Sequence, residues 1–128
     1  MYNIINTSNA PQPIGPYSQG IQVNNFVILS GQIPINLDSQ IVSNEISQQT
    51  IQVLNNIKNI LQKSQLKIKN IIKVNMFVTD LHDIHIINSI YEKFFIENKA
   101  NLPARTCVEV KSLPKNSKIE IDVMAITN

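Results

Sequence analysis

The chain has 128 residues and a mass of 14.4 kDa, which fits one domain with a buried core. Apolar residues make up 43% and charged residues 16%, a composition typical of globular rather than disordered proteins. The formal net charge is +2 and the sequence pI is about 8.7, which is too mild to indicate nucleic-acid binding by itself.

The sequence pattern conflicts with a membrane-spanning protein and with a secreted one. No apolar run approaches the ~18–20 residues that span a bilayer, and residues 1–6 lack the basic and apolar regions of a secretory signal. The single cysteine, Cys107, cannot form an intramolecular disulfide or a multi-cysteine zinc site. We therefore expect a protein of a reducing, cytoplasmic compartment that holds no metal and no cofactor.

Three strands are predicted in the first third of the chain. Residues Tyr2–Asn6 form a short strand, and the three prolines of segment 9–16 predict an extended loop because proline cannot donate to a sheet. Segments Ile21–Val23 and Phe26–Leu29 flank two asparagines, which tolerate the positive φ of a tight hairpin turn. Segment 30–34 is expected to leave the sheet.

Two amphipathic helices follow. They are predicted over Glu45–Gln62 and Asp83–Glu97, where apolar residues recur at 3.6-residue spacing. The β-branched segment Ile71–Thr79 between them predicts a strand, and Arg105–Val110 and Lys118–Ile126 are the last two strands. The order βββαβαββ over residues 1–128 predicts a single α+β domain, with two helices on one face of a mixed six-stranded sheet.

The other face of this sheet is predicted to be apolar. Phe26–Leu29 is apolar at four consecutive positions, so both sides of that strand favour burial. Phe77, Met124 and Ile126 fall on the side away from the predicted helix-facing residues. Because two helices can cover only one face, the open apolar face indicates an interface and hence a homo-oligomer. A partly exposed sheet face is the alternative.

The last two strands are interpreted as a hairpin, with its register fixed by parity. Burying Thr106, Val108 and Val110 under the helices sends the alternate residues of both strands to the open face. The expected cross-strand pairs are Arg105 with Asp122, Cys107 with Glu120, and Glu109 with Lys118. Arg105 and Glu120 then become diagonal neighbours on the face assigned to the interface.

Arg105 is the only arginine beside ten lysines, and two interpretations of it stay open. It can form a structural ion pair with Asp122, which periodicity alone favours because such pairs outnumber functional sites. Alternatively, it can bind a planar carboxylate through two parallel hydrogen bonds, while Glu120 handles a proton or orients a water molecule. A pocket of the second kind needs neither a metal nor a cofactor.

Several separated motifs resemble those of the Rid family, the reactive intermediate deaminases, also called the YjgF family. Residues 103–110 (PARTCVEV), 113–114 (LP) and 118–122 (KIEID) are similar to its closing signature. Residues 10–11 (AP) and 14–20 (IGPYSQG) resemble its opening motif, and residues 30–34 (SGQIP) its second motif. Asn88 and Tyr91 stand in the second helix as in family members, so the resemblance covers essentially the whole chain.

The resemblance implies a chorismate-mutase-like fold and a homotrimer with clefts between its subunits. It also implies hydrolysis of reactive 2-imino acids or their enamines, such as 2-iminobutanoate and 2-iminopropanoate, to 2-oxo acids and ammonia. PLP-dependent dehydratases that act on serine or threonine would supply these imines.

The resemblance also implies roles for individual residues. Arg105 would bind the substrate carboxylate, and Glu120 would position or activate the attacking water. The Tyr17 hydroxyl, expected from the neighbouring subunit, would complete the hydrogen-bond network, and the Cys107 backbone would contact the imine end. Three more residues are expected to shape the pocket: Ser30, Gly31 and Asn88.

Other activities are compatible with parts of the sequence. An RNA-cleaving inhibitor of translation and a non-catalytic, carboxylate-binding or chaperone-like trimer stay open as alternatives. A nucleophilic Cys107 is not favoured, because neither histidine can be placed beside it. His82 and His85 have a metal-compatible spacing but no evident third ligand. A loose basic stretch is interpreted as solvated surface rather than a nucleic-acid site: Lys58, Lys63, Lys67, Lys69 and Lys73.

Overall fold

Six strands and two helices follow one another in the predicted order βββαβαββ in the computed structural model, which describes residues 1–128. The strands are β1 (Asn3–Ile5), β2 (Gly20–Val23), β3 (Phe26–Leu29), β4 (Ile71–Val78), β5 (Ala104–Glu109) and β6 (Ile119–Ile126). The helices are α1 (Ile46–Lys63) and α2 (Ile84–Glu97). Three short 3-10 turns lie at Ile68–Asn70, Leu81–Asp83 and Pro114–Asn116. Neither helix combines the length and the hydrophobicity that crossing a membrane requires.

The strands form one mixed sheet in the spatial order β1-β2-β3-β6-β4-β5. All neighbouring pairs are antiparallel except β4 and β5, which run parallel and are connected through α2. The predicted hairpin between β2 and β3 is confirmed: Val23 pairs with Phe26, and Asn24 has a φ of 51° in the turn. Thus β3 and β6 form the centre of the sheet, β4 lies next to β6, and β5 is an edge strand.

Both helices pack on one face of the sheet, as predicted. α1 buries its apolar stripe there through Val53, Leu54, Ile57, Ile60 and Leu61, and α2 does so through Ile87, Tyr91 and Phe95. The sheet supplies alternate residues of its strands to the same core: Val27, Leu29, Val74, Met76, Val78, Ile119, Ile121, Val123 and Ala125. The core therefore fixes which face of each central strand is turned away from the helices.

The face turned away from the helices is apolar around β3 and β6. Val27 and Leu29 are buried, whereas Phe26 is 44% exposed and Ile28 37% exposed. Ile126 pairs with Phe26 on this face and is also exposed. The expectation of an open apolar sheet face is confirmed.

The predicted hairpin between the last two strands is wrong. β4 lies between β5 and β6, so the expected pairs of Arg105 with Asp122, Cys107 with Glu120, and Glu109 with Lys118 do not form. Asn75 instead lies opposite Asp122, and Phe77 lies opposite Glu120. The parallel β4–α2–β5 crossover carries the chain to the outer edge of β4, and β6 returns on the inner edge.

The predicted parity of β5 is also wrong. Paired residues of neighbouring strands point to the same face, and Arg105 and Cys107 pair with the buried Val74 and Met76. These two side chains therefore lie on the helix side of the sheet. Thr106, expected under the helices, lies on the open face, where its hydroxyl accepts a hydrogen bond from Lys73 Nζ at 2.8 Å. Val108, also expected to be buried, is 41% exposed.

Candidate active site

The first group of predicted site residues meets where α2 faces the edge strand β5. A cavity of about 270 Å³ is lined there by Asn88, Tyr91, Glu92, Leu102, Pro103 and Arg105. We call this cavity the first half-site. Its position follows from the topology, because the β4–α2–β5 crossover places the helix directly over the strand that it precedes.

Arg105 has a free guanidinium in the first half-site. It forms no ion pair and no side-chain hydrogen bond within the chain, and its Cζ lies 4.9 Å from the centre of the Tyr91 ring. The hypothesis of an ion pair with Asp122 is therefore wrong within one chain, since Asp122 accepts its hydrogen bond from Asn75. A guanidinium with all its donors unused is suited to bidentate binding of a carboxylate.

Two polar atoms of the first half-site residues are buried and lack a hydrogen-bond partner, namely Asn88 Oδ1 and the Tyr91 hydroxyl. Buried polar atoms in folded proteins are nearly always paired, so each of these atoms calls for a partner from outside the chain. Burial raises the pKa of Tyr91 to about 12, which keeps the phenol neutral and able to donate a hydrogen bond at neutral pH.

Cys107 lies two residues after Arg105 on the same face of β5 and packs partly against the core. Burial raises the pKa of its thiol, and the positive charge of Arg105 lowers that pKa by a smaller amount. The thiol is therefore protonated at neutral pH, which argues against a nucleophilic role.

The second group of predicted site residues lies on the other side of the sheet. Glu120 projects from β6 on the open face, and its carboxylate lies directly against Gly31. A Cβ on residue 31 would come within 2.6 Å of Glu120 Oε2, so only glycine fits there without displacing the carboxylate. An adjoining cavity of about 670 Å³ is lined by residues that include Tyr17, Ser30, Gly31 and Asp122. We call this region the second half-site.

The segment after β3 is held alongside β6. Gln32 and Ile121 exchange two backbone hydrogen bonds of 2.8 and 3.1 Å, so the expectation that segment 30–34 leaves the sheet is wrong for Gln32. The Ser30 hydroxyl donates to the Ser18 carbonyl at 2.6 Å, which ties the segment to the loop that carries Tyr17. These contacts bring Ser30 and Gly31 into the second half-site.

The loop before β2 is organised around the buried side chain of Gln19. Its amide group bonds to backbone groups of Thr7 and Pro11, which fixes the proline-containing segment. Tyr17 lies at the end of this segment, nearly half exposed, and its hydroxyl accepts a hydrogen bond from the Ile14 amide at 3.2 Å. Tyr17 thus lines the second half-site, and its hydroxyl can still donate its proton.

Glu120 is half-buried and has a perturbed acidity. Burial is the main cause that raises its pKa, and the nearby carboxylate of Asp122 adds to the effect. Asp122 is itself fixed by Asn75, whose side-chain amide donates to it at 2.9 Å. A carboxylate with a raised pKa is a better proton acceptor near neutral pH than an ordinary glutamate.

The structure therefore divides the predicted site residues between two faces of one chain. Arg105, Cys107 and Asn88 lie on the helix side, whereas Tyr17, Ser30, Gly31 and Glu120 lie on the open side. Sequence reasoning missed Asn75 and gave Tyr91 no role beyond its motif position. The sequence does place Tyr91 on the apolar stripe of the second helix. A tyrosine there buries its hydroxyl, which then needs a hydrogen-bond partner.

The other polar features of the sequence stay apart from both half-sites. His82 Nδ1 lies 2.8 Å from Asp80 Oδ1 in an exposed pair, and no group of three histidine, cysteine or carboxylate residues could hold a metal ion. The lysines do not share one surface, because Lys73 lies on the open sheet face and Lys63 ends α1.

Fold and site define a small α+β domain with an unpaired arginine in one cavity and a half-buried carboxylate on the opposite face of the sheet. Comparison with protein families matches residues 7–127 to the family described as endoribonuclease L-PSP. The chain belongs to this family, which is the YjgF/Rid family.

Individual relatives cover nearly the whole chain. A RutC family protein of Buchnera aphidicola subsp. Schizaphis graminum is 58% identical over 122 residues, 95% of each chain. The 2-iminobutanoate/2-iminopropanoate deaminase of Escherichia coli K12 is 46% identical over 126 residues, 98% of each chain.

Solved structures agree with the fold. The 1.2 Å crystal structure of the E. coli YjgF gene product superposes with a TM-score of 0.95 at 44% identity, covering 98% of this chain and 99% of that one. E. coli TdcF with bound serine superposes with the same TM-score at 40% identity and the same coverage.

Proposed function

We propose that the protein hydrolyses short 2-imino acids, such as 2-iminobutanoate and 2-iminopropanoate, to 2-oxo acids and ammonia. The observation that carries the proposal is the unpaired Arg105 guanidinium beside two buried polar atoms that lack partners. An unpaired arginine in a cavity is suited to a small carboxylate. That E. coli relatives are named for this activity and that TdcF binds serine, an amino acid of similar size, support the same substrate class.

The complete site in this proposal forms between two copies of the chain. The first half-site faces the helix side at one edge of the sheet, and the second half-site faces the open side. One chain cannot bring them together, but contact between the β5 edge of one subunit and the open face of its neighbour can. The apolar open face around Phe26 and Ile28 favours such a contact, and repetition of this head-to-tail contact around three copies closes a homotrimer.

The proposed reaction uses binding and proton transfer only. Arg105 holds the substrate carboxylate, and Tyr17, Ser30, Asn88 and the Cys107 backbone shape the pocket around the imine. Glu120 accepts a proton from water as the oxygen attacks the electrophilic imine carbon. Glu120 passes this proton to the nitrogen of the tetrahedral adduct. The hydroxyl proton of the adduct then moves to the nitrogen as the C–N bond breaks, so ammonia leaves and the 2-oxo acid remains.

The raised pKa of Glu120 suits its proposed role as the base that removes a proton from water. A base of higher pKa removes a proton from water more readily, provided that it remains ionised at the working pH. Because Gly31 has no side chain, the Glu120 carboxylate can occupy the position beside it. PLP-dependent dehydratases acting on serine or threonine are the class of enzyme that releases such imines, and we propose that they supply the substrate in the cytoplasm.

A coupled assay tests the proposal. A PLP-dependent threonine dehydratase generates 2-iminobutanoate in the presence and absence of the protein, and the appearance of 2-oxobutanoate is followed over time. We expect faster release of 2-oxobutanoate at an unchanged rate of threonine consumption. An unchanged release rate with correctly folded protein contradicts the proposal, and retained 2-oxobutanoate binding would then favour the non-catalytic carboxylate-binding alternative.

A further inference from the structure

Tyr91 of α2 lies against Arg105, the cation of the first half-site. The Arg105 Cζ lies 4.9 Å from the centre of the Tyr91 ring, within the range of a cation–π interaction. The ring is itself fixed: Tyr91 is only 5% exposed, and its centre lies 4.7 Å from that of the buried Phe95 ring. Phe95 in turn packs edge-on against Phe94 at 6.0 Å. The cation therefore lies over a buried, tightly packed aromatic ring.

The Tyr91 ring is the specific partner that the chain offers to this cation. Arg105 has no ion pair and no side-chain hydrogen bond, although Glu92 lines the same cavity. An arginine with free donors and several rotatable bonds would otherwise sample many rotamers and lose entropy on binding a ligand. A ring below the guanidinium restricts its motion without occupying the N–H groups along its edge.

We propose that Tyr91 is a positioning residue for Arg105. Its ring holds the guanidinium at the first half-site with the edge donors free for an incoming carboxylate. The identity of that carboxylate rests on the proposed function, whereas the contact between ring and cation does not.

The ring and the hydroxyl of Tyr91 are expected to act separately. The hydroxyl is buried without a partner, and a phenylalanine would fill the same space without that unpaired polar atom. Tyr91→Phe therefore keeps the ring and removes only the hydroxyl, whereas Tyr91→Leu removes the ring and keeps an apolar side chain. Phe94→Leu is a matched control, because it removes a ring from the same helix that is not in contact with Arg105.

The first experiment is independent of enzymatic activity. Arg105 is the only arginine in the chain, so labelling with ¹⁵N-arginine gives a single side-chain Nε–Hε NMR signal. In the wild-type protein we expect this signal to be shifted by the ring current of Tyr91 and to show restricted motion. Tyr91→Phe and Phe94→Leu should preserve both properties, and Tyr91→Leu should abolish them. A wild-type signal with no ring-current shift and with fast motion overturns the inference.

The second experiment measures what this positioning contributes to binding. Tyr91→Leu is expected to weaken 2-oxobutanoate binding and to raise KM about tenfold with kcat changed less than about threefold, because the contact acts equally in both bound states. Tyr91→Phe keeps the ring and loses only the hydroxyl, so it should bind 2-oxobutanoate several-fold more tightly than Tyr91→Leu does. In an Arg105→Gln background, Tyr91→Leu should cost less than about twofold more, since the cation that the ring positions is already gone. Equal tenfold losses in both backgrounds overturn the inference.

The two experiments separate this inference from the proposed function. A shifted, rigid arginine signal in a protein that neither hydrolyses imines nor binds 2-oxobutanoate retains the positioning role and rejects the proposed function. An active enzyme with a mobile, unshifted arginine rejects the positioning role alone. If Tyr91→Leu does not fold, Tyr91→Met replaces it as an unbranched, flexible side chain without a ring, and the wild-type signal already decides the contact.

Discussion

At the scale of single residues, Arg105 combines a free cation with a fixed position. It is the one cation of eleven that is an arginine, and it uses none of its donors within the chain. A lysine at this position would keep the positive charge but could not form two parallel hydrogen bonds to a carboxylate. The side chain therefore offers a direct test of the proposed carboxylate site.

Arg105→Lys is expected to lower kcat/KM for imine hydrolysis by about tenfold to over a hundredfold, the effect of losing one charge-assisted hydrogen bond. Its melting temperature should stay close to that of the wild type, because Arg105 forms no ion pair. The measurement is the coupled dehydratase assay together with thermal unfolding. Near-normal hydrolysis by a folded variant would leave the proposed carboxylate role without support.

Asp122 is expected to set the pH dependence of the reaction through Glu120. Because only the ionised carboxylate accepts a proton, kcat/KM should fall as the pH drops through the raised pKa of Glu120. Asp122→Asn removes one cause of that raised pKa, so the acid limb of the pH–rate profile should move to lower pH. An acid limb at the same pH in both proteins would show that Asp122 does not tune this group.

Glu120→Gln is the control for this profile. Glutamine keeps the size and cannot take the proton, so the residual rate should be low and without the acid limb. Because the pKa of Glu120 is raised on folding, its ionised form destabilises the fold at neutral pH, and the free energy of unfolding should increase as the pH falls through that pKa. The variant should consequently melt no lower than the wild type at pH 7.

At the scale of elements, the close approach of segment 30–32 to β6 shapes the second half-site. Gly31→Ala should displace the Glu120 carboxylate, because the added Cβ would lie 2.6 Å from its oxygen. We expect a loss of about tenfold or more in kcat/KM with a smaller effect on folding. The double variant Gly31→Ala/Glu120→Ala should lose less stability than the sum of the single variants, since the contact is then absent. Full activity of Gly31→Ala would contradict the assigned geometry.

Local sequence signals predicted most elements to within one or two residues. The periodic apolar stripe placed α1 at Glu45–Gln62, one residue from its observed bounds of Ile46–Lys63. The two asparagines placed the turn between β2 and β3 correctly, because that turn depends on local backbone preference. Periodicity and turn chemistry are properties of neighbouring residues, so one sequence suffices to read them.

The partner strand of β5 and its core-facing side could not be predicted from neighbouring residues. As an edge strand it is partly exposed on both faces, so its alternation does not reveal which face meets the core. Val108 is more exposed than the half-buried Arg105, the reverse of what hydrophobicity alone predicts. The pairing partner of β5 is decided by the crossover through α2, which is a property of the whole topology. The candidate site residues come from the motif resemblance, and the wrong position of β5 changed only the expected face and neighbours of Arg105 and Cys107.

At the scale of the whole molecule, the apolar open face is the expected surface of association. Ile28→Lys would place a charge in the middle of this face, where the side chain is partly exposed in one chain. We expect multi-angle light scattering to show a trimer for the wild type and a smaller species for the variant, with activity lost in parallel. A wild-type protein that stays monomeric near 14.4 kDa at micromolar concentration would reject the proposed interface.

The division of the half-sites between two faces predicts complementation between inactive subunits. Arg105→Lys damages only the first half-site, and Glu120→Gln damages only the second. When the two variants are unfolded, mixed in equal amounts and refolded together, about a quarter of the interfaces should pair an intact half of each kind. Activity should recover to about that fraction of the wild type. No recovery in a mixed, folded oligomer would place both residues in a site within one chain.

Because the outer edge of β5 is unpaired in one chain, the specific activity of the proposed enzyme should depend on protein concentration. Each chain carries Arg105 near one edge and Glu120 on the opposite face, so under the proposed function an isolated subunit would hold two incomplete pockets. Specific activity should therefore decline on dilution below the concentration at which subunits associate, and it should return on reconcentration. In a cell, the rate of imine removal would rise more steeply than the amount of protein while subunits are scarce, and only in proportion to it once assembly is complete.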